Sequence, residues 1–255
     1  MWPTLAANTP LYRVTRIDDD WADVPLGKGA FFSVGGRYNT AGQPTIYASE
    51  DPLVALTEYA WHNSLALTET LGGLHPQITY PLTASAKLWR FQFNTAIILA
   101  DLTSQLASQQ LGFPAHMPWN PHPKQYAASQ AVATRLWSHQ QPRPEGLLAP
   151  SIRMPVASAY QPMQVVLFAL PTLPGVPKTL AERAILLDNW EVELEMATLV
   201  NSSPVTQIDS HIAWSKPWCR LTGTTAVVPK FAGRPRGSPL AVNTWFTLDV
   251  CYSPY

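Results

Sequence analysis

Alternation of apolar and polar residues marks the first element of this 255-residue chain. Over residues 9–17, Leu11, Arg13 and Thr15 alternate with Tyr12, Val14 and Arg16, which predicts a strand, and Asp18-Asp19-Asp20 ends it. Apolar residues then lead into a double glycine in Phe31-Phe32-Ser33-Val34-Gly35-Gly36-Arg37-Tyr38. Asn39-Thr40-Ala41-Gly42-Gln43-Pro44 has the composition of a turn. Thr45-Ile46-Tyr47-Ala48-Ser49 has the β-branched and aromatic content of a strand. A helix is predicted from about Pro52 to Leu65. Ser49 or Asp51 serves as its N-cap, and Pro52 suits its first turn. Leu53, Leu56, Ala60 and Trp61 fall on one face of it.

The pattern continues with one or two strands between Trp89 and Leu99 and a short helix beginning within Asp101–Leu106. Gln109 to Lys124 is Pro-rich and irregular. Gln125 to Ser138 predicts a helix with Tyr126, Ala127, Ala131, Leu136 and Trp137 available to bury. Gln164-Val165-Val166-Leu167-Phe168 is an apolar strand, and Pro171 to Thr179 a linker. Trp190-Glu191-Val192-Glu193-Leu194-Glu195-Met196 alternates, predicting a solvent-edged strand with its glutamates exposed.

From residue 201 onward the character changes. That stretch holds 5 basic and 2 acidic residues, against 12 and 15 before it, and its periodicity is poor. It is expected to be a loosely structured or disordered extension, dispensable for folding. The alternative is that Trp214, Trp218, Trp245 and Phe246 pack onto the domain and cover a sheet edge.

Composition narrows the classes. The net charge is zero, so no electrostatic footprint for nucleic acid or acidic membrane exists, and neither partner is expected. Twenty-five Pro argue for many loops and against an all-helical bundle. The two cysteines, Cys219 and Cys251, are too few for a disulfide framework and lack metal-ligand spacing. His116, His122 and His139 have no Cys or acidic neighbours to complete a metal site, so no metal is expected. No secretory leader and no run of eighteen apolar residues is present, which makes a cytoplasmic location the expectation. A dinucleotide fold with Gly-x-Gly-x-x-Gly and a phosphate loop with Gly-x-x-x-x-Gly-Lys-Ser are both unsupported.

Charged residues are only 13% of the chain, so Arg37 and Glu58, each set among apolar residues, are candidates for a shared buried site. Gly35-Gly36 can take positive φ and permit close approach, and Arg37 emerges from that turn with a planar guanidinium suited to phosphate or carboxylate. An exposed turn Arg and an exposed helix Glu are the alternatives for each residue taken alone.

Taken together, the ordered pieces resemble the RES domain, named for an Arg, a Glu and a Ser. The matching pieces are Leu11-Tyr12-Arg13, Gly35-Gly36-Arg37-Tyr38-Asn39, Tyr47-Ala48-Ser49, the helix carrying Glu58, Gly146-Leu147-Leu148-Ala149-Pro150-Ser151-Ile152-Arg153 and the strand at Gln164–Phe168. Tyr38 stands where the family's turn usually has Trp. Ala159-Tyr160-Gln161-Pro162-Met163-Gln164 lacks the family's usual Gly-Xaa-Asn.

The resemblance implies an α+β fold, an ADP-ribosyltransferase-like core of two small packed sheets with flanking helices. It places that domain at residues 9–200, with 201–255 as the extension. It implies an enzyme that consumes NAD as substrate rather than holding it as a cofactor, either a glycohydrolase or phosphorylase or an ADP-ribosyltransferase. It also implies a toxin neutralised by a cognate antitoxin that carries a DNA-binding domain. Carried over by position, Glu58 is the catalytic carboxylate, Arg13 and Arg37 hold NAD, Tyr47 stacks or orients it, and Ser151 completes the pocket. Tyr12, Tyr38 and Ser49 are secondary NAD-binding candidates. A catalytically inactive relative that binds nucleotide or protein in the same cleft is the alternative.

The residue types suit that chemistry. Arginines neutralise a diphosphate, a tyrosine face stacks on the nicotinamide ring, and a carboxylate stabilises the positive charge that builds as the glycosidic bond breaks. One carboxylate suffices because nicotinamide leaves as a neutral group.

Overall fold

Among the described residues, ten strands in two sheets, one mixed and one antiparallel, make the frame of the protein, a computed structural model that describes residues 3–27, 35–52, 54–56, 58–59, 80–113, 126–138, 144–151, 163–169, 179–198, 218–222 and 245–247. The first sheet contains β1 (Thr4–Leu5), β3 (Thr45–Ala48), β5 (Ile97–Asp101), β6 (Gly146–Pro150) and β7 (Met163–Phe168), in the order β1-β5-β6-β7-β3. The second contains β2 (Leu11–Arg16), β4 (Tyr80–Phe93), β8 (Ala184–Thr198), β9 (Trp218–Thr222) and β10 (Trp245–Thr247), in the order β10-β9-β8-β4-β2. The helical positions 52, 54–56 and 58–59 belong to α1; α2 is Gln105–Gln110, α3 Tyr126–Trp137 and α4 Leu180–Arg183. This is the α+β arrangement of two packed sheets that the resemblance implies.

The central strands of the first sheet are buried on both faces because each face has its own cover. Val165 and Leu167 of β7 join Ile46, Ile97, Leu99, Trp89, Phe91 and Phe93 in a core between the two sheets. Val166 and Phe168, one residue out of phase, pack instead with Leu147, Ala149, Val132, Ala133 and Leu136 beneath α3. A strand buried on both faces reads as an uninterrupted apolar run, which is why Gln164–Phe168 shows no alternation in the sequence. The same core beneath α3 holds Tyr38, from the glycine turn.

Several expectations are refined. The strand predicted from Trp89 begins at Tyr80 and pairs with β8 from Tyr80↔Thr198 to Phe93↔Ala184, with a bulge at Arg90/Phe91. Pro81 and the small residues after it hide that strand from a propensity reading. β8 is not a solvent edge: β4 lies on one side, and β9 covers Glu193–Ala197 on the other. On α3 the buried face is Tyr126, Ser129, Val132, Ala133 and Leu136; Ala127 and Ala131 are exposed. The stretch read as a loose extension contributes β9 and β10, with Trp218 opposite Ala197 and Trp245 opposite Arg220, an arrangement that covers the edge of β8. The predicted remainder of α1 beyond residue 59, together with His116, His122, His139, Trp214 and Cys251, lies outside the described residues.

Candidate functional site

The two sheets touch along a seam between β2 and the end of β3. The Tyr12 N–H donates to Ser49 O at 2.7 Å, and the Ser49 N–H donates to Tyr12 O at 2.9 Å. Next to that bridge, Arg13 reaches across the seam and donates from Nη1 to the Tyr47 carbonyl at 3.2 Å. Arg13 Nε has no partner among the described residues. Burial pushes the Arg13 guanidinium down to about 10, against Asp19 and Tyr47, which favour its charge. Tyr12 is buried, and that burial raises its hydroxyl pKa against the nearby Arg90.

Ser49 turns the chain from β3 into α1. Its hydroxyl donates to Met163 O at 2.7 Å and accepts from Asp51 N at 3.1 Å, fixing the start of the helix to the first strand residue of β7. That anchoring aims Glu58, two helical turns later, into the interior. Glu58 is buried, and Ser151, just past β6, donates its hydroxyl to Glu58 Oε1 at 2.6 Å. Two residues 93 positions apart are thereby joined in one hydrogen bond.

The Gly35-Gly36 turn works by two different constraints. Gly35 adopts φ +69°, and a Cβ there would lie 2.2 Å from Asn39 O. At Gly36 the obstacle is a side chain: a Cβ would lie 2.5 Å from the Tyr47 hydroxyl. That hydroxyl accepts from Tyr38 N at 3.0 Å and donates to Asn39 Oδ1 at 2.6 Å, while Gly36 N donates to the same oxygen at 3.1 Å. Tyr47 therefore braces the turn through its hydroxyl, and its ring packs on the core beneath α3. Burial raises its hydroxyl pKa.

Arg37 is 7% exposed. Its guanidinium carbon lies 5.9 Å from the Tyr38 ring centroid and 5.6 Å from that of Tyr126. Each face contributes a cation–π attraction. Nε and Nη1 have no hydrogen-bond partner among the described residues. Burial opposes the Arg37 charge, yet Tyr126, Tyr38 and Glu58 together hold its pKa above the ordinary value. Tyr38 is buried, and its hydroxyl pKa is raised by that burial against the pull of Arg37.

The eight residues singled out from sequence thus form one linked set. Arg13 bonds Tyr47, Tyr47 bonds the Tyr38 backbone, Arg37 lies beside the Tyr38 and Tyr126 rings within reach of the Glu58 charge, and Glu58 bonds Ser151. Tyr12 and Ser49 hold the seam. Sequence reasoning missed Asn39 as a brace and Tyr126, Ser129 and Gln130 as neighbours of Arg37. A buried serine among apolar helix residues was the available signal, because a buried hydroxyl demands a partner.

Among the described residues no cluster of three or more His, Cys, Asp or Glu is placed to hold a metal. None of their helices is long and apolar enough to cross a membrane. The family model of the RES domain matches residues 10–188. Among solved structures, the chain is similar to one in the M. tuberculosis MbcT–MbcA toxin–antitoxin complex, with 20% identity, 74% of this chain and 86% of that chain covered, and a TM-score of 0.48. No curated protein matches the sequence.

Proposed function

The chain belongs to the RES domain family, and from that premise we propose that it consumes NAD, breaking the bond between nicotinamide and ribose. The observation that carries this reading is the buried Glu58 carboxylate, bonded by Ser151 and within electrostatic reach of an arginine with two donors that have no partner among the described residues. A buried cation with unmet donors favours an anionic ligand, and a diphosphate supplies both charge and acceptors.

In this mechanism Arg37 and Arg13 neutralise the diphosphate. The aromatic residues Tyr12, Tyr38 and Tyr47 bound the pocket, and Ser49 fixes α1 so that Glu58 meets the nicotinamide ribose. As the C1′–N bond breaks, its electron pair stays with the nicotinamide nitrogen, which becomes neutral. Positive charge grows on the ribose, facing Glu58. The Ser151 hydroxyl holds one carboxylate oxygen in place, so little reorganisation is needed as that charge develops. The acceptor then adds at C1′ and loses a proton; water, phosphate or a protein side chain fits this step. The reading extends to a toxin with a cognate antitoxin bearing a DNA-binding domain, as the family resemblance implies, and to a cytoplasmic location.

The test is incubation of the purified protein with NAD. Release of free nicotinamide supports the reading. An inert wild-type protein that binds nucleotide without turnover would establish the non-catalytic alternative instead.

A further inference from the structure

Four polar or aromatic contacts connect α3 to the glycine turn. Ser129 Oγ donates to Arg37 O at 2.6 Å, and Gln130 Nε2 donates to Gly36 O at 2.8 Å. The Tyr126 ring lies against the Arg37 guanidinium, and Gln43 Nε2 donates to Thr134 Oγ1 at 3.2 Å. Gln43 in turn accepts from Thr40 N at 2.9 Å, so the far end of the turn is held as well. Tyr126, Ser129, Gln130 and Thr134 follow the spacing i, i+3, i+4, i+8 and share one side of the helix. A core helix needs none of these polar groups there. Ser129 is fully buried, a position where the apolar core beneath α3 would otherwise call for an alanine or valine.

The direction of these bonds matters more than their number. The carbonyls of Gly36 and Arg37 both point at α3 and are occupied by it. Their lone pairs are therefore engaged by Ser129 and Gln130, while Arg37 Nε and Nη1 have no partner among the described residues. An anionic ligand at Arg37 meets donors and positive charge rather than carbonyl oxygens.

We infer that Ser129 and Gln130 are positioning residues: they orient the Gly36-Arg37 backbone so that Arg37 presents its free donors to an anionic phosphate-bearing substrate. This rests on the proposed NAD chemistry for its kinetic consequence, while the orientation itself is independent of that reading. α3 then belongs to the substrate site, although none of its residues lies within the sequence motifs that define the site.

The test compares Ser129→Ala, Gln130→Ala and the double variant with Val132→Ala, which trims the same helix on its core side. The double variant is expected to raise KM for NAD on the order of tenfold, with kcat changed by less than about twofold. Val132→Ala lowers the melting temperature and leaves KM unchanged. In an Arg37→Ala background the double variant adds less than about twofold to KM, because the residues act through Arg37. A second readout needs no turnover: the Arg37 Nε–H in a proton–nitrogen spectrum, buried near the Tyr38 and Tyr126 rings, is expected to exchange slowly in the wild type and to shift and exchange faster in the double variant. An unchanged Nε–H signal, or a KM effect of full size in the Arg37→Ala background, overturns the inference. If the wild type consumes no NAD, the proposed function falls while the Nε–H comparison still decides the role of α3.

Discussion

Replacing Tyr47 with Phe separates two roles that the same residue can have. If Tyr47 serves only as a stacking surface, the ring remains and the substitution is silent. If its hydroxyl braces the turn, two bonds disappear. Asn39 Oδ1 keeps its bond from Gly36 N, so that acceptor stays satisfied. The Tyr38 N–H has the Tyr47 hydroxyl as its acceptor and is left without it. One buried donor without a partner costs about 1–3 kcal/mol. For a chain of this size, each kcal/mol shifts the melting temperature by about 2–4 °C, so Tyr47→Phe should melt roughly 2–12 °C lower. The loosened turn should also raise KM for NAD. Thermal melts and steady-state kinetics on the two proteins give both numbers. A variant that melts within a degree of the wild type with the same KM refutes the bracing argument and returns Tyr47 to a stacking role.

Glu58→Gln keeps the acceptor for Ser151 and removes the charge, so NAD turnover should fall on the order of 100- to 1000-fold with an unchanged melt; a nicotinamide-release assay reads it, and undiminished turnover excludes the assigned role. Arg13 carries a charge whose burial holds its pKa at about 10, below the ordinary value, so the folded state bears that cost at every pH below about 10 and sheds it only as pH rises through that value. Arg13→Met should therefore abolish turnover without lowering the melting temperature at neutral pH, and a marked loss of stability would show that the bond to Tyr47 O outweighs the burial. Cutting the chain after residue 200 removes β9 and leaves the β8 main chain bare between Glu193 and Ala197. The truncated protein should aggregate or melt well below the full chain, and a stable, active truncation would show the extension to be dispensable.

The parts of the site legible in the sequence are those whose signals are local. Gly35 declares a turn because only glycine takes its φ of +69° easily, and Ser49-x-Asp51-Pro52 declares a helix start. The order of motifs supplies the rest, since Glu58 and Ser151 meet only through the fold. What stayed hidden depends on partners far along the chain. Ser129 looks like a polar interruption of a helix until the Arg37 carbonyl is beside it, so Ala127 and Ala131 were expected in its place. β4 escaped notice before Trp89 because it gains its order from fourteen residues of pairing with β8 rather than from its own composition. β9 is recognisable only by what it covers. The role of Tyr47 could be read as aromatic from sequence, but the use of its hydroxyl required knowing that Gly36 leaves room for it.

The paired amides of Tyr12 and Ser49 give the seam a built-in gauge. Both lie in main-chain bonds between strands of different sheets, so a separation of the sheets breaks them while the ladders inside each sheet stay closed. Their hydrogen exchange then reports the opening of the seam, and exchange at Leu88 in β4 or Val166 in β7 reports unfolding of a whole sheet. The difference between the two opening free energies is the freedom the molecule keeps for admitting a ligand. A ligand that bridges Arg13 on one sheet and Arg37 beside the other should slow exchange at Tyr12 and Ser49 first.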